Sequence, residues 1–359
     1  MMRIPARSWV TNLTFSLRGM CIVALFFLIS GIIAIVVWNV QQQQLPKQAV
    51  RLLAESRFLL SQFRLTEAEV KLRELLKIQP DRTEAVTALA EILFTQGRRL
   101  ECRNILWNVV TANKNPVPLL NMIWGTYHDT RLSELYFRAE RTLTKAVEIN
   151  PSLENRRGLA YSYLLRGTAD DLVNAERILH QCLLEFPQDQ LTATWLITCL
   201  MEQQRFDESD ALLNHMTGVY PKDPEFIRLQ ARLCRIQNQW QDAEQQYRML
   251  LTFLPGDLEC LNQLSLLEGK NGHPDKSLVF RSRWQTSTEL LKEAEYLLQQ
   301  LENTSGASEK SYGSLCIRLA NICKHFGQFR YALAWYEVAK KDGVSDPELE
   351  QSLRDMAQL

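Results

Sequence analysis

The stretch Trp240–Pro255, WQDAEQQYRMLLTFLP, opens on an aromatic residue, carries a small residue three positions later and closes on proline. The stretch Phe206–Pro221, FDESDALLNHMTGVYP, repeats those three marks 34 residues upstream. Stepping from Ala243 by about this period reaches Ser209, Ala175, Ala139, Cys102 and Ala68 on one side, and Ser277 and, after a longer gap, Ala332 on the other. The gaps from Ala68 to Ser277 are 34, 37, 36, 34, 34 and 34 residues. The prolines Pro80, Pro116, Pro151, Pro187, Pro221 and Pro255 keep step with them. Two residue types in fixed phase mark an internal repeat.

Each period reads as two helices. In the unit that closes on Pro80, AVRLLAESRFLLSQF has apolar residues at helical spacing, and TEAEVKLRELLKIQP forms a second amphipathic run after a short break. Gly97, Gly167, Gly272 and Gly327 fall where a first helix must end, because glycine tolerates the left-handed backbone. The closing proline cannot continue the second helix. The small residue is expected where two helices cross closely.

This grammar resembles the tetratricopeptide repeat. The residues that carry the resemblance are Leu159, Ala160, Tyr163, Gly167, Ala175 and Pro187 in one unit; Ala231, Ala243, Tyr247 and Pro255 in another; and Leu319, Ala320, Gly327, Ala332, Tyr336 and Ala339 in a third. The resemblance covers about residues 47–345. It implies an all-α, right-handed superhelical solenoid of about eight helix pairs. Departures are visible: Cys102 replaces alanine, LLNMIWGTYHDTRL fits a first helix poorly, and the seventh unit lacks its closing proline, TELLKEAEYLLQQL following Trp284 instead. The polar ENTSGASEK then reads as a joint. The expected organisation is a solenoid over 47–301, a polar joint over 302–311, a last unit over 312–345 and a capping helix over 346–359. Asp346 is the expected N-cap of that helix, and Pro347 its first position.

The N-terminus is of another kind. Residues 20–38, MCIVALFFLISGIIAIVVW, carry no charge and would span roughly 28 Å as a helix, close to a bilayer's hydrocarbon thickness. They read as a transmembrane helix between a basic flank (1–19) and a polar linker (39–46). The rival reading, a cleaved signal peptide, calls for a shorter apolar run and a small-residue cleavage site. Arg3, Arg7 and Arg18 precede the span, and the first cation after it is Lys47. The positive-inside rule then places the N-terminus in the cytoplasm and the repeats outside it. Seven cysteines beyond the span, an odd number without a C-x-x-C pair, argue for the opposite side.

Forty-one basic and 41 acidic residues give zero net charge, which argues against a whole-chain nucleic-acid footprint. No phosphate-binding loop, dinucleotide fingerprint, zinc-protease motif or nucleophile elbow occurs. Cys316, Cys323 and His325 come nearest to a ligand set, but their spacing suits packing better than metal. The expectation is a non-enzyme without cofactor or metal. Cys102, Cys182 and Cys234, and Trp195, Trp240, Trp284 and Trp335, read as packing residues.

The resemblance implies that first helices line a concave groove where protein partners bind as peptide segments. By register, that groove includes Arg157 and Tyr161, and Arg228, Arg232 and Arg235, which share one helix face at i, i+4 and i+7. Such arginines could grip carboxylates, or could be spent on acids of neighbouring repeats. The expected function is a membrane-anchored scaffold for protein partners in envelope assembly, secretion or maturation. The alternative is a cytoplasm-facing adaptor for a protease or biosynthetic enzyme.

Overall fold

The computed structural model describes residues 47–110, 116–127, 133–303 and 309–343. The expected membrane span (20–38), its flanks and the capping helix (346–359) lie outside the described residues. Among the described residues every regular element is a helix, and no helix is long and apolar enough to cross a membrane.

The helices alternate as first and second members of hairpins. The chain runs α1 (47–61), α2 (Leu65–Ile78), α3 (Thr83–Thr95), α4 (Arg99–Val110), α5 (Val117–Tyr127), α6 (Ser133–Ile149), α7 (Leu153–Arg166) and α8 (Ala169–Glu185). It continues through α9 (Gln190–Glu202), α10 (Phe206–Val219), α11 (Pro224–Ile236), α12 (Trp240–Phe253), α13 (Leu258–Lys270), α14 (Pro274–Asn303), α15 (Glu309–His325) and α16 (Phe329–Lys341).

Two backbone devices set the period. Every described turn inside a hairpin passes through one left-handed residue: Phe63, Gly97, Gly167, Gln204, Asn238, Gly272 or Gly327, with φ between 58° and 77°. The four expected glycines are there, and three turns manage the same geometry without one. In most of these turns the next N–H reaches back to the helix, as from Arg98 to the Leu93 carbonyl (2.8 Å) and from Arg205 to that of Leu200 (2.9 Å), so the last carbonyls are not orphaned. Between hairpins, Gln79, Phe186, Tyr220 and Leu254 each precede a proline and leave the helix at φ near −130°. The proline ring disfavours helical backbone at the residue before it.

The periodic small residues are buried where the helices cross: Ala68, Cys102, Ala139, Ala175, Ser209, Ala243 and Ala332 are at most 5% exposed. Ser277 is half-buried, and its hydroxyl donates to the Ser265 carbonyl at 2.7 Å. A second ladder runs along the N-caps. Asp189, Asp223 and Asp257 stand 34 residues apart and cap α9, α11 and α13. Each also accepts a side chain of the preceding unit: Arg157 (2.7 Å), Gln190 and Arg228 (2.9 Å), respectively. One carboxylate therefore satisfies helix-terminal donors and ties two repeats together.

The array is irregular in two places. In the third unit, α5 packs on α4 and α14, whereas α6 packs on α7 and α3. The second unit's end meets the fourth unit directly, with the Gln96 amide donating to Asn155 Oδ1 at 3.0 Å. In the seventh unit, α14 continues for 30 residues, about 45 Å, because neither glycine nor proline interrupts it after Pro274. Helix reaches Asn303 and resumes at Glu309, so it extends into both ends of the expected joint at 302–311.

The long helix turns the last hairpin back on the array. Its turn sits against the α12–α13 loop, with Phe326 and Gly327 on Gly256 and Pro255, and Ser287 of α14 shares a 2.8 Å hydrogen bond with His325. Its second helix reaches α4 and α5. One buried cluster accordingly joins residues of α1–α9 with those of α14–α16, while residues of α9–α14 form two further clusters.

Candidate functional site

The five expected groove residues fall into two groups, each built from the start of a first helix and the N-cap of the next. In the first, Arg157 is 5% exposed, and its Nη1 donates to both oxygens of Asp189 at 2.7 and 2.8 Å. Asp189 also accepts from the backbone N–H (2.8 Å) and hydroxyl (2.5 Å) of Thr192. Burial alone would raise the Asp189 pKa; the Arg157 charge and the Thr192 bonds outweigh it and hold the pKa below the usual carboxylate value. The Arg157 guanidinium lies 5.9 Å from the centre of the Trp195 ring, and Tyr161 stacks on that ring at 4.3 Å.

The opposite side of this aromatic pair is taken by the chain itself. Gly97 presses on the outer edge of Trp195: a Cβ at position 97 would stand 2.3 Å from the indole, so both φ (+71°) and space require glycine there. Arg99, two residues on, donates to the Tyr161 hydroxyl at 2.8 Å. Arg103, one helical turn further, lies over Tyr127 (4.4 Å) and feels the charge of Glu225 on α11. The start of α4 thus covers part of the surface that the repeat register assigns to a partner.

In the second group, Arg228 donates to Asp257 (2.9 Å) and Glu259 (3.3 Å), and Arg232 forks onto Glu259 at 2.5 and 2.6 Å. Burial favours protonating Asp257, and Arg228 outweighs it to keep the pKa low. Arg235, the third of the stripe, makes no ion pair among the described residues and stands beside Tyr247, whose pKa is pushed up to about 12, mainly by burial. The three arginines do share a face, and the acids of the next repeat hold two of them.

Sequence reasoning named the arginines but missed their partners. Asp189, Asp257 and Glu259 were legible as acids at the next unit's N-terminus, one period down the chain. Arg99 and Arg103 were not, because only the displaced third unit brings α4 over α7 and α11.

The seven described cysteines are unpaired thiols. Six are buried and Cys234 is half-buried. Burial raises the pKa of each, to about 12 for Cys102 and Cys316, so they are poor nucleophiles. Among the described residues no three His, Cys, Asp or Glu side chains are placed to share a metal ion. Of the four tryptophans read as packing, Trp195 and Trp335 are buried; Trp240 and Trp284 are half-buried, and the Lys270 ammonium caps the Trp240 ring at 4.0 Å.

Residues 168–233 match the family model described as tetratricopeptide repeat, which covers α8 to most of α11. No curated protein matches the chain. Among solved structures, a tetratricopeptide repeat protein from Parabacteroides merdae ATCC 43184 is 13% identical, over 87% of this chain and 99% of its own, with a TM-score of 0.37. A chain of the APC/C hetero-tetramer Cut9-Hcn1 is 13% identical, over 85% of this chain and 55% of its own, with a TM-score of 0.43. MamA of MSR-1 is 14% identical, over 44% of this chain and 91% of its own, at 0.35. These scores are too low to carry an argument about function.

Proposed function

We propose that this tetratricopeptide-type array is a protein-binding scaffold held at a membrane by residues 20–38, and that it binds rather than catalyses. The observation that carries the binding reading is the face of α11. Arg228 and Arg232 are fixed by Asp257 and Glu259, and between them they set a rigid frame beside Arg235, which has no ion pair among the described residues, and Glu225, whose side chain is 58% exposed. A preorganised cation and anion on one helix suit a peptide segment carrying both charges.

The membrane side of the proposal rests on the uncharged residues 20–38, and its orientation on Arg3, Arg7 and Arg18. The repeats then face away from the cytoplasm, in envelope assembly, secretion or maturation. Burial of the thiols weakens the redox objection, because shielded, protonated thiols do not readily exchange.

The test is site-specific photo-crosslinking in cells from Glu225, with and without Arg235→Glu. Arg235 is a better probe than Arg228 or Arg232, since replacing those would also break the chain's own ion pairs. A discrete crosslinked protein that disappears with Arg235→Glu supports the reading. Crosslinks unchanged by Arg235→Glu, or none to another protein, overturn it.

A further inference from the structure

The last hairpin contributes one tyrosine to a box built by other parts of the chain. Tyr331 of α16 is fully buried among Trp107 of α4 (5.8 Å, edge-on), Trp124 of α5 (6.1 Å) and Tyr127 of α5 (6.1 Å, stacked). Its hydroxyl donates to the Leu120 carbonyl at 2.7 Å, across 211 positions of sequence. Beside it, the Arg330 guanidinium lies over Trp107 at 5.1 Å. An aromatic anchor with a polar tip and an adjacent cation on one helix, received by aromatic walls and one carbonyl, is the composition of a helix-in-groove interface.

The hairpin's remaining apolar residues do not depend on that box for company. Leu319, Ala320, Ile322, Ala332 and Ala339 share their cluster with Leu297, Leu298 and Leu301 of α14, and α15 packs chiefly on α16 and α14. The hairpin is thus a unit with its own apolar interior, docked on α4–α5 by few side chains.

We infer that the α4–α5 face is a docking site for a helix presenting a tyrosine next to an arginine, and that α16 fills it in cis until such a helix displaces it. The cis occupant benefits from an effective concentration that any partner must exceed. This inference stands on the Tyr331 contact and not on the α11 face, so either can fail alone.

Gly256 supplies the lever. A Cβ there would stand 2.6 Å from the Phe326 ring and 3.1 Å from the His325 carbonyl, and both belong to the hairpin. Its φ is outside the left-handed region, so a side chain is tolerated by its own backbone. Gly256→Val therefore wedges the hairpin away while leaving the box intact. Arg330→Ala with Tyr331→Ala empties the box directly, should the wedge be absorbed. The probe is a fluorescent peptide of residues 325–341, followed by anisotropy against full-length protein, with circular dichroism to verify retained helix. The expected result is binding to at least one emptied protein at least tenfold tighter than to the unmodified protein, abolished by Tyr331→Ala in the peptide. If neither emptied protein binds the peptide better than the unmodified protein does, or if the Tyr331→Ala peptide binds equally well, the inference is overturned.

Discussion

The Tyr331 hydroxyl and the Leu120 carbonyl, 2.7 Å apart, close a chain that a simple repeat would leave open. Nearest-neighbour stacking gives each unit contacts only with the next. Here a residue of the last hairpin completes the packing around α5, in the third.

Tyr331→Phe removes that hydrogen bond and keeps the ring. The expected loss is about 0.5–1.5 kcal/mol in urea unfolding, the net value of one buried hydrogen bond. Tyr331→Ala also loses the aromatic packing and should cost about 3–5 kcal/mol. Hydrogen exchange over 116–127 and 312–341 should quicken in Tyr331→Ala ahead of the α8–α12 amides. Uniform quickening along the whole chain would contradict a local closure.

The N-cap aspartates are expected to differ in cost. Asp223→Ala removes a cap and an amide contact, for about 1 kcal/mol. Asp257→Ala removes a cap and leaves the Arg228 guanidinium, 14% exposed, with only Glu259 and Glu225. Its cost should be larger, about 2–4 kcal/mol. Arg228→Met together with Asp257→Asn should recover part of it, since the stranded charge is gone. Equal melting temperatures for Asp223→Ala and Asp257→Ala would refute the second role of Asp257.

Acid should destabilise the array through the same carboxylates. Asp189 and Asp257 have folded pKa values below the unfolded one, near 3.9, so their ion-pair contribution is fully present above about pH 4 and is lost as pH falls through the folded values. Melting temperature should hold from neutrality to about pH 4 and drop below it. Asp257→Asn, already lacking one such group, should show a shallower drop. An equally steep drop in that variant would count against the assignment.

The thiols should be silent in the native protein. Dithionitrobenzoate is expected to find Cys234 first and fully buried Cys323 last, with all seven reacting only in denaturant. Rapid native reaction at Cys316 or Cys323 would show that the last hairpin opens freely. An impermeant thiol reagent consequently reports burial and not membrane side; reporter fusions after Leu359 are the suitable test of orientation.

The periodic part of this architecture was legible because its causes are local. A left-handed turn residue, a pre-proline exit and a small crossing residue each depend on a few neighbours, and they recur every 34 residues or so. Phe63, Gln204 and Asn238 were harder to read, since tertiary packing there imposes a backbone that glycine adopts more cheaply. The closure was not legible: Tyr331, Trp107 and Trp124 each look like ordinary packing residues in their own unit. One clue was available. VPLLNMIWGTY buries Val117, Leu119, Leu120, Ile123, Trp124 and Thr126, positions that go all round the helix rather than along one stripe. A helix of that pattern must be covered on several sides, and adjacent units cover only some of them. The poor fit of this same segment to the repeat marked the place where the array is interrupted.

The most direct test of the closed chain is a photo-crosslink from position 330, whose side chain is exposed yet lies over Trp107. With benzoylphenylalanine replacing Arg330 in the full-length protein, irradiation followed by peptide mapping should give an intramolecular crosslink into residues 103–127. Crosslinks confined to residues 309–343, or reaching 103–127 only of a second molecule, would contradict it.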